Sequence, residues 1–291
     1  MVKLIAIDLD GTLLNEENQV SIQNLEAIKF AQSNQIEIVI ATGRTHFDVQ
    51  SIFKNCGIKT WVIGANGATI HQPNGELFHS EPINRQGALN ILSWLEKENF
   101  YYEVCSNDFI WTPHNGRELL AIEMDRITSA YPDINKDRLK YAAEKQFSQT
   151  GFSYIKSYKD LFDKDIDFYN ILAFSFDEEK LKKGWANFEY RDDLTMVKSA
   201  KHNFELEHKN ASKGIALEIL AKKLNINLAD TAAVGDSFND LSMLRIAGRS
   251  AAMGNAHQEI KDACHEVTLP NHEDGVAHFL YTLTKTTAIH S

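Results

Sequence analysis

The segment Lys3-Leu4-Ile5-Ala6-Ile7-Asp8-Leu9-Asp10-Gly11-Thr12 decides the fold. Lys3 to Ile7 reads as a buried strand that stops at Asp8. Asp8 and Asp10 stand two apart at its end. Side-chain alternation puts residues i and i+2 on one side, so both carboxylates can face one small volume. Two such groups repel unless a cation or a shared proton lies between them. Gly11 lets the backbone turn sharply away. Asp10-Gly11 is also an ordinary hairpin signal. On this segment alone both readings stay open, but an apolar strand that delivers two acids to one point favours a site.

Outward from this strand, Ile22 to about Ser33 reads as a helix capped by Ser21, with Val20 and Leu25 stapled across the cap. Ile36 to Ala41 is a second strand. It runs into Thr42-Gly43-Arg44, where another helix is expected to open and continue to about Asn55. Trp61 to Gly64 is a third strand ending at Asn66-Gly67. Strand, helix, strand, helix, strand at this spacing indicates a parallel sheet. The rhythm changes near residue 84 to strand pairs mixed with helices: strands Tyr101–Cys105 and Phe109–Thr112, helices Arg117–Ala130 and Lys136–Phe147, and a closing hairpin of Leu194–Ser199 with Phe204–His208. Helix–strand alternation resumes at Lys213 and ends in a helix from Gly275. The expected fold is α/β: a Rossmann-like parallel-sheet core from residues 1–83 and 210–291, with an inserted α+β domain at 84–209.

The bulk properties restrict the function. Hydrophobic residues make up 43% and charged residues 24%, a globular rather than a disordered balance. The formal net charge is −10 and no basic run occurs, which argues against nucleic acid or an anionic membrane as partner. No stretch approaches the ~20 apolar residues that span a bilayer. Cys56, Cys105 and Cys264 are far apart and odd in number, as expected of reduced thiols in a cytoplasmic protein. No obligate protein partner is evident, and neither a GxGxxG after a strand nor a P-loop occurs.

Three further segments carry candidate chemistry. Thr42 is either a helix N-cap or, with neighbouring backbone N–H groups, an anion holder. Arg44 reads as a surface or structural charge within reach of a substrate. Lys213 sits at a helix start, where the dipole disfavours a cation. A surface lysine tolerates that position, and a nearby phosphoryl group would explain it. In Gly235-Asp236-Ser237-Phe238-Asn239-Asp240, Ser237 and Asp240 match a capping box, which leaves Asp236 and Asn239 unexplained. Each of these segments follows a strand or opens a helix. In parallel sheets ligands bind outside the carboxyl ends of the strands, so the four can converge. Oxygen ligands without His or Cys point to Mg²⁺ rather than zinc.

Taken together, Asp8-x-Asp10-Gly11-Thr12, Thr42, Lys213 and Gly235-Asp236-x-x-Asn239-Asp240 resemble, in order, the four motifs of the haloacid dehalogenase superfamily. The inserted domain, Asn66-Gly67-Ala68, Ala252-Met253-Gly254-Asn255-Ala256 and Glu273-Asp274-Gly275-Val276-Ala277 resemble its Cof-type phosphatases with a large α/β cap. The resemblance implies a Mg²⁺-dependent hydrolase of small phosphate monoesters. It makes Asp8 the nucleophile and Asp10 the general acid and base. It assigns the metal to the Asp8 and Asp236 side chains and the Asp10 carbonyl. Leu9 N–H, Thr42, Gly43, Lys213 and Asn239 would hold the phosphoryl oxygens, supported by Asp240, Ser237, Arg44 and Asn66. Thr60-Trp61-Val62-Ile63, Asn115 to Leu120 and His202 to Leu206 are similar to a subgroup acting on the riboflavin intermediate 5-amino-6-(5-phospho-D-ribitylamino)uracil. Tyr101, Tyr102, Trp111 and His114 would then either stack on a ring or form the inserted domain's own core or hairpin surface. A phosphomutase and a non-catalytic phosphometabolite sensor are the alternatives.

Overall fold

The apolar segment after Lys3 forms β1 (Leu4–Ile7), with all four side chains buried. Leu4, Ile5 and Ile7 each contribute about 1.5–3 kcal/mol by leaving water. The computed structural model describes residues 1–131, 133–147 and 151–288. It separates into two units, one of Met1–Ser80 with Asn210–Ser291 and one of Glu81–Lys209.

The first unit continues with α1 (Ile22–Ser33), β2 (Glu37–Ala41), α2 (His46–Phe53) and β3 (Trp61–Gly64). The Ser21 hydroxyl accepts the Asn24 N–H at 3.1 Å and so caps α1. Two short strands follow, β4 (Thr69–His71) and β5 (Leu77–Ser80). They form an antiparallel meander with β3, so the sheet is not parallel throughout. The turn at Gln72-Pro73-Asn74-Gly75, with Gly75 at φ 92°, reverses the chain in too few residues for a crossover helix.

The second unit contains α3 (Arg85–Lys97), β6 (Tyr101–Cys105), β7 (Ile110–Pro113), α4 (Gly116–Ala130), α5 (Lys136–Phe147) and β8 (Phe152–Ile155). It is completed by β9 (Asn170–Phe174), α6 (Glu178–Phe188), β10 (Leu194–Val197) and β11 (Asn203–His208). Its sheet runs β10-β11-β9-β6-β7-β8. Ile83, assigned to the first unit from sequence, bridges to Phe168 and is buried in this unit's core. Tyr101, Tyr102 and Trp111 are buried as well, so they build the unit rather than offer ring faces to a ligand. Their polar tips are satisfied within the unit by Glu103, Glu96 and Ser106 respectively. His114 is exposed and stacks on Tyr154.

The chain returns to the first unit with α7 (Lys213–Lys223), β12 (Thr231–Gly235), α8 (Leu241–Ile246), β13 (Arg249–Ala252), α9 (Gln258–Asp262), β14 (Glu266–Val267) and α10 (Gly275–Ala288). The eight-stranded sheet has the order β14-β13-β12-β1-β2-β3-β4-β5. β1 pairs in parallel with β2 on one side and with β12 on the other. The strand order therefore reverses at β1, the place where such sheets open a crevice at their carboxyl ends. Ile5 and Ile7 pack in one core layer with residues of α1 and α10. Leu4 and Ala6 pack in the other with residues of α7 and α8. No helix among the described residues is long and apolar enough to cross a membrane. None of the three cysteines is in a disulfide.

Candidate active site

Asp8 extends β1 by one residue: its N–H bonds to the Val234 carbonyl at 3.0 Å and its backbone remains extended. Its parity is that of Leu4 and Ala6, whose layer contains α7. Lys213, the first residue of α7, is buried and places Nζ 2.7 Å from Asp8 Oδ1 and 2.7 Å from Asp240 Oδ1. The surface-lysine reading is thereby removed. The unfavourable helix-start position is offset by two carboxylates in direct contact.

Asp10 departs from the expected arrangement. Strand geometry ends with the extended backbone of Asp8, and Leu9–Leu13 forms a wide helical turn in which Gly11 takes φ 78°. The i, i+2 rule therefore does not reach Asp10, whose carboxylate is not in the group formed by Asp8, Asp236 and Asp240. Arg44 holds it instead through a fork, Nη2 to Oδ1 at 2.7 Å and Nε to Oδ2 at 2.9 Å. Asp10-Gly11 is not a hairpin turn; the next antiparallel bridge is between Leu14 and Val20. Gly11 is required for space as well as for φ, because a Cβ there would lie 2.4 Å from Asp236 Oδ2.

The carboxylates that do converge are those of Asp8, Asp236 and Asp240, each with an oxygen within 4.8 Å of the others. Asp240 is fully engaged. Its Oδ1 takes Lys213, and its Oδ2 accepts the N–H groups of Asp236 and Ser237, both at 3.0 Å. The capping box with Ser237 is present, and it holds the loop after β12 in shape. Asp236 accepts the Thr12 hydroxyl at 3.3 Å. Thr12 and Asn255, whose Nδ2 bonds the Gly11 carbonyl at 2.8 Å, brace the turn. Neither was singled out from sequence as a site residue, although both fall in quoted motif segments.

Thr42 is buried at the end of β2 but does not cap a helix. α2 begins at His46 after Thr45, and the Thr42 hydroxyl accepts the Arg44 N–H at 3.1 Å. Asn66 follows β3 in the left-handed region, φ 53°, and its side chain faces Gly43. Asn239 Nδ2 donates to Asn66 Oδ1 at 3.0 Å, and Asn239 Oδ1 accepts the Ser237 hydroxyl at 2.6 Å. Thr42, Gly43, Asn66 and Asn239 are thus linked through Asn66, and a second N–H of Asn239 is left to donate.

The electrostatics fit a hard divalent cation. Asp8 Oδ2 is buried with no hydrogen-bond partner, a costly arrangement for a carboxylate. Three acids and one ammonium leave an excess of two negative charges in this group. Burial, and then Asp240, push the Asp8 carboxyl well above its usual range. Asp236 is pushed up to about 6 by the same two causes in the same order. Burial works to lower the Lys213 pKa, but Asp240 and Asp8 outweigh it and raise it. A Mg²⁺ ion among Asp8 and Asp236 would relieve both acids and satisfy the orphaned oxygen.

Residues 5–280 match the model of the haloacid dehalogenase-like hydrolases. The chain belongs to this family. Phosphatase YwpJ of Bacillus subtilis is 59% identical to this hydrolase over 281 residues, 96% of this chain and 99% of that one. The 5-amino-6-(5-phospho-D-ribitylamino)uracil phosphatase YwtE of the same organism is 39% identical over 279 residues, 96% and 97% of the two chains. A solved haloacid dehalogenase-like hydrolase from B. subtilis, 59% identical, superposes with a TM-score of 0.82 over 96% of this chain and 99% of that one. One from Bacteroides thetaiotaomicron shares the fold at 22% identity, with a TM-score of 0.79 over 97% and 100%. The chain is an enzyme, a phosphatase of the haloacid dehalogenase-like family.

Proposed function

We propose that this phosphatase hydrolyses small phosphate monoesters with Mg²⁺, through an aspartyl-phosphate on Asp8. The observation that carries the reading is the Asp8 carboxylate: buried, fixed by Lys213 through one oxygen, and with no partner at the other. Asp8, Asp236 and the Asp10 carbonyl would hold Mg²⁺, which would supply the charge that neutralises the repulsion between carboxylate and phosphoryl oxygens. An Asp8 oxygen attacks phosphorus, the P–O bond to the alcohol breaks, and Asp10 gives the leaving oxygen its proton. Asp10 then takes a proton from water, which attacks phosphorus, frees phosphate and restores Asp8. Lys213, Thr42 and the Leu9 and Gly43 N–H groups stabilise the charge on the phosphoryl oxygens, with the remaining Asn239 N–H. Asp240 orients Lys213.

The candidate substrate is 5-amino-6-(5-phospho-D-ribitylamino)uracil, supported by the name of the 39% identical relative; sugar phosphates are the second class. The test is phosphate release from a panel containing both, with Mg²⁺ and with chelator. Mg²⁺-dependent release with highest kcat/KM on the ribitylaminouracil phosphate is expected. Release of no phosphate from any ester sinks the reading. An isomerised sugar phosphate in place of free phosphate would make the enzyme a mutase.

A further inference from the structure

Asp10 must meet the leaving oxygen at hydrogen-bond distance to act as acid, yet its own backbone does little to aim it. It lies in the turn just before Gly11, and its side chain is 51% exposed. A half-exposed aspartate ordinarily samples several staggered rotamers. Here both carboxylate oxygens are taken by the Arg44 fork.

Arg44 is itself fixed at three further points. Its Nη1 donates to Asp48 Oδ2 at 2.8 Å, and the Asp48 side chain is only 13% exposed. Its N–H bonds the Thr42 hydroxyl and its carbonyl accepts the Ala65 N–H at 2.9 Å. The backbone runs so near β3 that a Cβ on Gly64 would lie 3.2 Å from the Arg44 oxygen. The chain invests a braced, forked cation in one half-exposed acid. Ion pairs at this exposure add little to stability, so a purely structural purpose explains the bracing poorly.

We propose that Arg44 is the positioning residue for Asp10 and that Asp48 fixes Arg44 in that role, a proposal that rests on Asp10 being the acid–base group. Each Asp10 oxygen accepts one Arg44 N–H and keeps a second lone pair, where the proton is carried; Arg44 thus selects one direction for the Asp10 carboxyl and so sets how that proton meets the leaving oxygen. The fork geometry matters because two parallel N–H donors fix a plane, which a lysine ammonium cannot do.

The test compares kcat/KM for an alkyl phosphate, whose alkoxide needs a proton, with p-nitrophenyl phosphate, whose phenolate does not. The full chain is used with saturating Mg²⁺. Asp10→Asn, the control, should lose about 10²- to 10⁴-fold on the alkyl ester and far less on the aryl ester. Arg44→Gln should lose at least about tenfold on the alkyl ester and stay within about threefold on the aryl ester, which also reports that the variant is folded. Asp48→Asn should move in the same direction by less, and Arg44→Lys should recover only part of the loss. Equal losses on both esters in Arg44→Gln, or none, overturn the proposal. An Asp10→Asn variant without selectivity would instead remove Asp10 as the acid, whatever Arg44 does.

Discussion

Two lysine–carboxylate networks, one in each unit and each built on a buried acid, are completed to different degrees. In the second unit Glu123 Oε1 accepts the Ser175 hydroxyl at 2.8 Å and Lys180 Nζ at 3.0 Å, and Oε2 accepts the Phe176 N–H at 2.6 Å. Lys180 also donates to the Asn99 carbonyl. In the first unit Asp8 Oδ1 takes Lys213 and Oδ2 takes nothing. Burial makes an unsatisfied carboxylate oxygen expensive, so a finished network fits a structural role and an unfinished one leaves room for a ligand. Glu123 ties α4 to the end of β9; Asp8 keeps one oxygen unpaired, as the proposed cation and phosphoryl group require.

The sharpest way to break this contrast is Asp8→Asn. An amide is a poor nucleophile and a weak metal ligand, so turnover should fall to background in a phosphate-release assay, while far-ultraviolet circular dichroism stays native. Glu123→Ala should do the reverse. The change leaves the buried Ser175 hydroxyl and Phe176 N–H without their partner, at a cost of about 1–3 kcal/mol, read as a lower denaturant midpoint, with kcat/KM per folded molecule nearly unchanged. Third, Mg²⁺ at a hundred times its Kd should stabilise the wild type by about 2.7 kcal/mol, measured as a rise in Tm. The Glu123→Ala variant should show the same gain and Asp8→Asn a much smaller one; an equal gain in Asp8→Asn would show that the cation binds elsewhere. Last, Lys213→Ala should lose at least ~2 kcal/mol of transition-state stabilisation, read from kcat/KM. Unchanged kcat/KM would move Lys213 into the same class as Lys180.

The parts of the site legible in the sequence share one form: an apolar strand ending on a polar group. Asp8 after β1, Thr42 after β2 and Asp236 after β12 all follow it, because strand burial is encoded locally and the sheet brings strand ends together. What was misread lies where regular geometry stops. Period-two alternation cannot describe Asp10, which sits beyond the last strand residue in a turn with Gly11 at φ 78°. The start of α2 was set too early because Thr42 has the chemistry of a cap, while the helix in fact opens after Thr45. The Arg44–Asp10 pair joins residues 34 apart through two loops, and no periodicity records such a contact. The strands β4, β5 and β8 escaped because segments of three or four residues at or near a sheet edge carry too little apolar pattern to register.

The pairing of β1 with β12 bears on how the enzyme comes into being. Synthesis delivers Asp8 early, but the strand beside it and the lysine that holds it come from beyond residue 210. At ~5–20 residues per second, roughly ten to fifty seconds separate the emergence of Asp8 from that of Asp236. During that interval the β12 side of β1 is an apolar edge without its native neighbour. A nascent chain interrupted before Lys213 has Asp8 but no ammonium to hold it. The proposed site is therefore complete only once segments more than two hundred residues apart have both been made.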